Sequence, residues 1–430
     1  MKEVRVGLAG YGTVGKSVVT VLARNADVIA RRSGIHLLVT HVGARRGAPD
    51  LAEQGIKVSQ DVFEVARDPE VDVCIELMGG VTTARDWIEI ALANGKPVVT
   101  ANKALIAEAG SPLIAQARQV GVPLLFEAAV AGGIPILKAL REGLSANQIE
   151  WVAGIINGTA NYILTEMASG RTFSDVLLEA QAAGYAEADP TFDIEGIDAA
   201  HKLTILASMS FGVPLSYRDV YVEGITALQS EDLEYAHRLG YRVKHVALAR
   251  QSEAGIEMRV HPTLIPCDAL LANVNGVMNA VMVQGDAVGS SLYYGAGAGG
   301  MATASSVVAD VIEVARHSGL AIEQTVPPLA FQDAKPIQMV SIDAVCSAFY
   351  LRFQVRDKPA VLAHITEMLG EDGVSIDAAI QKPVHEQTDL VSIVLLTQAV
   401  TEAVINRVIA RIEALPEIGA PVTKLRVLSL

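Results

Sequence analysis

Val4, Val6 and Leu8 stand two residues apart, the period of a strand with a buried face. The stretch VRVGLAGYGTVGKSVVTVL then changes period, and Val14, Val18, Val21 and Leu22 fall on one side of a helix. Further strands are expected in IHLLVTHVGARRG, in VDVCIELMGG (71–80), in KPVVTANKALIA (96–107) before its helix, and in VPLLFEAAVAGGIP (122–135). Strands alternating with helices predict a doubly wound, Rossmann-type parallel sheet.

From about residue 130 the pattern changes. WVAGIINGTANYIL (151–164) is strand-like and turns at Asn157-Gly158-Thr159. GIDAAHKLTILA (196–207) is an apolar helix apart from Asp198 and Lys202. GAGAGG (295–300) opens another helix, expected to pack back on the first unit. Residues 323–346, with Pro327, Pro328 and Pro336, read as a linker. FYLRFQV, KPAVLAHITEMLGEDG, VSIDAAIQK, TDLVSIVLLT, TEAVINRVIARIEAL and VTKLRVL then give βαββαβ, a ferredoxin-like order. The expected division is a dinucleotide domain (1–130), an α+β catalytic and dimerisation domain (131–322), the linker (323–346) and a small C-terminal domain (347–430).

A chain of 430 residues exceeds one core, and 51% hydrophobic against 19% charged residues can fill two or three. The net charge of −14 disfavours nucleic acid. Cys74, Cys267 and Cys346 are scattered without metal-ligand spacing, which disfavours zinc and suggests a reducing compartment. No signal peptide pattern and no run of roughly 18 apolar residues occurs. The expectation is a soluble cytoplasmic protein with no membrane or nucleic-acid partner.

Gly10, Gly12 and Gly15 form G-x-G-x-x-G between the first strand and its helix. The first permits the turn, the second lets backbone approach a pyrophosphate, and the third lets helix and strand pack closely. The helix N-terminus, at Thr13 and Val14, offers free N–H groups to phosphate. After the second strand an acidic residue would read the ribose of NAD; Arg45 and Arg46 stand there instead. Guanidinium groups suit the 2′-phosphate of NADP, with NAD the alternative. Gly79, Gly80, Thr100, Asn102 and Lys103 end strands on the same rim. Asp198 and Lys202 lie one helical turn apart, a spacing that also suits an ordinary ion pair.

GLAGYGTVG, TANKALIA, EAAVAGGIP, GIINGTANYIL, AGYAEADPTFDIEGIDAAHKLTILA and YYGAGAGGMATASSVVAD occur in this order from residue 6 to about 310. In them the chain resembles the homoserine dehydrogenase family. The resemblance implies reversible reduction of L-aspartate 4-semialdehyde to L-homoserine by NAD(P)H, in threonine, methionine and isoleucine biosynthesis. It makes Lys202 the proton donor and Lys103 its partner near cofactor and substrate. Glu187 and Asp198 would hold homoserine, with Asp193 and Thr159 beside them, and Gly184 and Gly299 would meet the cofactor through backbone. Glu127 with the main chain of Val130, Gly132 and Ile134 resembles a monovalent-cation site, usually sodium. An all-oxygen ligand set suits such a hard ion. The chemistry agrees: hydride delivery to an aldehyde leaves an alkoxide, and an ammonium supplies positive charge and a proton.

RDKPAVLAHITEMLGEDGVSI resembles an ACT domain, an amino-acid-binding regulatory module whose usual effector in this family is L-threonine. Ala360 stands where that pattern commonly has glycine. A homodimer or homotetramer is implied. Two alternatives stay open: another NAD(P)-dependent dehydrogenase acting on an amino acid, and an amino-acid sensor with an idle cofactor fold. Aspartate-semialdehyde dehydrogenase fits less well, because no cysteine is placed as a nucleophile.

Overall fold

The computed structural model describes residues 1–381 and 390–430. Lys382 and residues 388–389, expected at strand ends, lie outside them. Lys2–Ala9 (β1), Ile35–Gly43 (β2), Lys57–Ser59 (β3), Val73–Glu76 (β4), Val98–Thr100 (β5) and Leu124–Leu125 (β6) form a parallel sheet in the order β3-β2-β1-β4-β5-β6. Its central strands are apolar on both faces, with Val6, Leu8, Ile75, Val98 and Val99 fully buried, as a sheet covered by helices on both sides requires. The strand order reverses between β1 and β4, which opens a crevice at their carboxyl ends. Thr13–Arg24 (α1) packs Val18, Val21 and Leu22 against the sheet. Lys103–Val120 (α2) starts where the Asn102 side chain accepts the Leu105 N–H at 3.1 Å.

A second sheet follows. Ile149–Ile155 (β7), Tyr221–Val222 (β8), Tyr241–Ser252 (β9), Gly255–Pro266 (β10), Met278–Gly285 (β11) and Gly289–Ala296 (β12) are its first strands. Gly158–Met167 (α3), Thr191–Ile194 (α4), Ile197–Phe211 (α5) and Ser230–Arg238 (α6) surround it. Every residue of α5 from Asp198 to Phe211 is buried, so this helix is core on all sides. Gly300–His317 (α7) returns to the first sheet, where Ala304, Val307 and Val311 share a cluster with Val6 and Leu8. A Cβ on Gly300 would lie 2.4 Å from Ser17 Oγ and 3.1 Å from Thr13 O, so α7 and α1 meet with no room for a side chain there.

The C-terminal part holds Cys346–Ser347 (β13), Phe349–Arg356 (β14), Val361–Glu371 (α8), Ile376–Gln381 (β15), Leu390–Thr397 (β16), Val400–Thr401 (β17), Glu402–Glu413 (α9) and Thr423–Val427 (β18). β13 and β17 pair as a short ribbon. The remaining strands do not form a separate sheet. β18 pairs antiparallel with β14 and parallel with β10, giving one ten-stranded sheet, β12-β11-β7-β9-β10-β18-β14-β16-β15, with β8 beside β10. Asp232 on α6 is fully buried and takes Arg352 of β14 at 2.5 and 3.0 Å and the Tyr350 hydroxyl at 3.0 Å. The stretch 323–346 is irregular yet docked: Ile256 N–H donates to Gln338 O at 2.9 Å and Val340 N–H to Ile256 O at 2.8 Å. The stretch expected as a linker thus packs against β10, and the last strand, β18, pairs with strands of both units.

Candidate active site

Three helix N-termini converge beside the crevice. Asn102 caps α2 and places Lys103 as its first residue. Asn157 caps α3 by accepting the Ala160 N–H at 2.8 Å. Gly196, left-handed at φ 84°, bends the chain between α4 and α5 and sets Asp193 and Asp198 on one side of the joint. A side chain there would be strained.

At the meeting point Asp198 Oδ1 lies 2.9 Å from Lys103 Nζ and Asp198 Oδ2 2.6 Å from Lys202 Nζ. The Lys202 ammonium also donates to the Ile156 carbonyl at 2.7 Å. The Asn157 amide donates to Asp193 at 2.7 Å and to Asp198 at 2.8 Å. Thr159 donates to the Tyr185 carbonyl at 2.6 Å. The Asp198–Lys202 pair is thus a helix i,i+4 pair, but a buried one, joined by a lysine from the other sheet's rim.

Charge follows from this geometry. Burial alone would raise the Asp198 pKa; Lys202 and Lys103 outweigh it and hold the carboxyl far below the usual range. Burial, helped by the Lys103 charge, lowers Lys202 against the pull of Asp198. Lys103, whose side chain keeps 35% exposure, is raised by Asp198. Burial raises Asp193. Glu187 and Gly184 lie on an exposed turn, and the Glu187 charge still acts on Lys103.

The glycine turn has a cofactor's cradle. Cβ atoms on Gly10 and Gly15 would meet Leu77 O at 2.6 Å and Gly10 O at 2.2 Å, whereas one on Gly12 would meet nothing within 4 Å. The first and third glycines are therefore packed, and the second faces open space where a phosphate fits. Thr13 and Val14 open α1 above this space. Gly79 and Gly80 turn at φ 74° and 73° after β4, Thr100 ends β5, and Gly299, at φ 111°, leads into α7 against Thr13. Arg45 and Arg46 are exposed just past β2, whose Gly43 carbonyl accepts the Gly10 N–H at 3.0 Å.

In the loop that includes Val130, Gly132 and Ile134, both Glu127 carboxylate oxygens are already used: they accept the Leu137 and Lys138 N–H groups at 2.9 and 2.7 Å. The Glu127 N–H donates to Asp310 at 2.8 Å. Burial pushes Glu127 up to about 7 and Asp310 well above its ordinary value, and Glu127 adds to the latter. Lys138 and Arg141 act on Glu127 but are shared with Glu313, so carboxylates outnumber cations here, a balance that suits an added monovalent cation. Among the described residues no cluster of three or more His, Cys, Asp or Glu forms a metal site.

Sequence reasoning missed Asn157, which ties two carboxylates together, and Phe192, whose ring lies 5.8 Å from Lys103 Nζ. It also passed over Glu76. Its signal was a carboxylate at the end of an otherwise apolar strand.

Fold and site together define a dinucleotide-dependent dehydrogenase with a lysine–carboxylate centre at the mouth of its crevice. Residues 10–127 match the homoserine dehydrogenase NAD binding domain, 135–312 the family described as homoserine dehydrogenase, and 349–417 the ACT domain. The chain is 57% identical over 430 residues to a homoserine dehydrogenase of Pseudomonas aeruginosa, covering 99% of each. A solved homoserine dehydrogenase of Thiobacillus denitrificans superposes with a TM-score of 0.93 at 52% identity, over 100% of this chain and 99% of that one. A hyperthermophilic archaeal homoserine dehydrogenase, solved in complex with NADPH, matches with a TM-score of 0.60 at 27% identity, over 77% of this chain and 100% of that one. The chain belongs to the homoserine dehydrogenase family and carries its ACT domain.

Proposed function

We propose that this protein interconverts L-homoserine and L-aspartate 4-semialdehyde with NADP(H), Lys202 moving the proton. One observation carries this: Lys202 is buried, paired and one bond short. An ammonium has three donors. Two of them go to Ile156 O and Asp198, and among the described residues the third is left for a ligand.

The nicotinamide, when bound, supplies or takes the hydride. In reduction, Lys202 gives its proton to the substrate oxygen as negative charge develops there, and Asp198 orients the ammonium. In oxidation, neutral Lys202 takes the hydroxyl proton. Its lowered pKa makes both forms available nearer working pH than a free lysine allows. Lys103 adds positive charge at the same oxygen. Asp193, Thr159 and the exposed Glu187 line the side that receives the amino-acid group, where carboxylates suit an ammonium.

Several finer assignments belong to this reading. Arg45 and Arg46 select the 2′-phosphate of NADP. Sodium sits at the carbonyls of the Glu127–Ile134 loop, where it relieves Asp310 and Glu127. L-threonine binds the ACT domain, next to a cavity of about 500 Å³ lined by Val355, Lys358, Ala360 and Thr366. Ala360 is left-handed at φ 72°, the backbone reason for glycine in related patterns. The protein works as a homodimer or homotetramer in the cytoplasm; among the described residues no helix is long and apolar enough to cross a membrane.

The decisive experiment is NADP⁺ reduction with L-homoserine, repeated with added L-threonine and with the double variant Arg45→Ala, Arg46→Ala. Turnover is expected, with threonine inhibition, and in the double variant KM for NADP⁺ should rise far more than KM for NAD⁺. Equal shifts for both cofactors would overturn the NADP assignment.

A further inference from the structure

Glu76 closes β4 and is fully buried. A carboxylate in such a place needs donors to keep its charge. The donors placed on it are neutral. Oε1 accepts the Met78 N–H at 2.6 Å and the Gly79 N–H at 3.3 Å, and Oε2 accepts the Thr100 hydroxyl at 2.6 Å. With its own hydrogen directed at Glu76, Thr100 Oγ1 accepts the Asn102 N–H at 3.0 Å. The Asn102 amide donates to the Gly80 carbonyl at 2.6 Å, and its side-chain oxygen caps α2. These bonds close a ring. It runs from the turn after β4, through Glu76, to the end of β5, and back through Asn102.

The ring occupies the rim where the strand order reverses. One side of it is the Gly79–Gly80 turn, whose left-handed residues leave open space above them. The other side ends at Asn102, and the next residue is Lys103, whose Nζ reaches Asp198 at 2.9 Å. Burial pushes the Glu76 pKa up while its donors pull it back.

We propose that Glu76 is a positioning residue for the dehydrogenase reaction: it locks the turn after β4 to the corner after β5, and so sets both the seat for the nicotinamide end of the cofactor and the aim of Lys103. This rests on the reading of that rim and of Lys103 as the active site. A misplacement of about 1 Å at such a site costs about a hundredfold in rate. A carboxylate that merely capped a strand end would affect stability and leave cofactor affinity alone.

The test uses the full chain. Glu76→Gln keeps the shape but turns one acceptor into a donor facing the ring's own donors. NADPH titrated into the variant, followed by fluorescence, should bind at least about fivefold more weakly, and homoserine oxidation should slow by at least about tenfold. Thr100→Val, which keeps the shape and loses the hydroxyl, should do the same, and Thr100→Ser should recover most of that loss. Because both changes open one ring, the double variant should be little worse than the worse single one. Wild-type NADPH affinity in Glu76→Gln, or losses that multiply in the double variant, would overturn the proposal. If Glu76→Gln does not fold, the Thr100 pair decides: equal affinity in Thr100→Val and Thr100→Ser overturns it. Lys202→Ala separates the two levels. An active Lys202→Ala sinks the site reading, whereas an inactive one beside an unaffected Glu76→Gln sinks only the positioning role.

Discussion

Two buried charge clusters in this protein are mirror images in sign. In one, the Asp198 carboxylate holds Lys103 and Lys202, one on each oxygen. In the other, the Arg426 guanidinium on β18, 1% exposed, holds Glu402 of α9 at 2.7 and 2.9 Å and Glu223, just past β8, at 2.8 and 3.0 Å. The second is matched edge to edge. A planar fork meets two carboxylates, and Lys424 adds to Glu402. Burial would lower Arg426 and raise Glu223; their pairing reverses both, and neither titrates near neutrality. The first cluster is left unfinished. Among the described residues Lys202 keeps a donor free, and it is pushed toward its neutral form. A completed buried charge welds the C-terminal unit to the catalytic sheet; an incomplete one can do chemistry.

Removing one cation from each cluster tests this contrast most directly. Lys202→Ala should cut kcat by about 10²–10⁴ while the protein still binds NADPH and melts near the wild-type temperature. Near-normal turnover would make the two clusters equivalent. Arg426→Met should do the reverse. It takes the cation from Glu223 and leaves Glu402 with Lys424 alone, which should cost about 2–4 kcal/mol in unfolding free energy, read by denaturant titration. Turnover of the folded variant should survive, and a variant that kept its stability but lost activity would exchange the assigned roles.

A pH series sharpens the contrast without mutation. Lys202 has a folded pKa below the ordinary 10.5. Homoserine oxidation needs the neutral amine, so kcat/KM should rise with pH and level off above that pKa; semialdehyde reduction needs the ammonium and should fall through the same pH. Lys202→Ala should lose this limb, while Arg426→Met should keep it. A limb unchanged in Lys202→Ala would assign the titration elsewhere.

The smallest effect comes from a change involving no charge. Ala360→Gly relieves a left-handed alanine, worth about 1 kcal/mol, and loses part of that to the freer unfolded chain. A net gain under about 1 kcal/mol should appear as a slightly higher melting temperature. A loss would mean that the methyl packs usefully.

Much of the site was legible because its parts are local. The glycine turn needs a strand before it and a helix after it, all within a few residues. The run from Glu187 to Lys202 carries its carboxylates, its bend at Gly196 and its lysine in one stretch. Where partners come from distant segments, the sequence was silent. Nothing near Lys103 announces Asp198, nothing near Glu76 announces Thr100, and Glu127 reads as a ligand although its carboxylate caps the short helix at Ile136–Lys138.

The C-terminal unit shows the same division. The alternating periods of its strands and helices, each a matter of which side chains share a face, already define the βαββαβ order. That β18 should be held between β10 and β14 is not written in any local period, because an exposed strand edge accepts any partner with matching register. Packing chose it: Arg426 finds Glu223 and Glu402 only in that register, and Asp232 finds Arg352 only once the sheets are joined. Local patterns settle which elements form, since they depend on neighbours in the chain. The pairing of buried charges settles how elements meet, since leaving one unpaired in a dry interior costs more than any local preference can return.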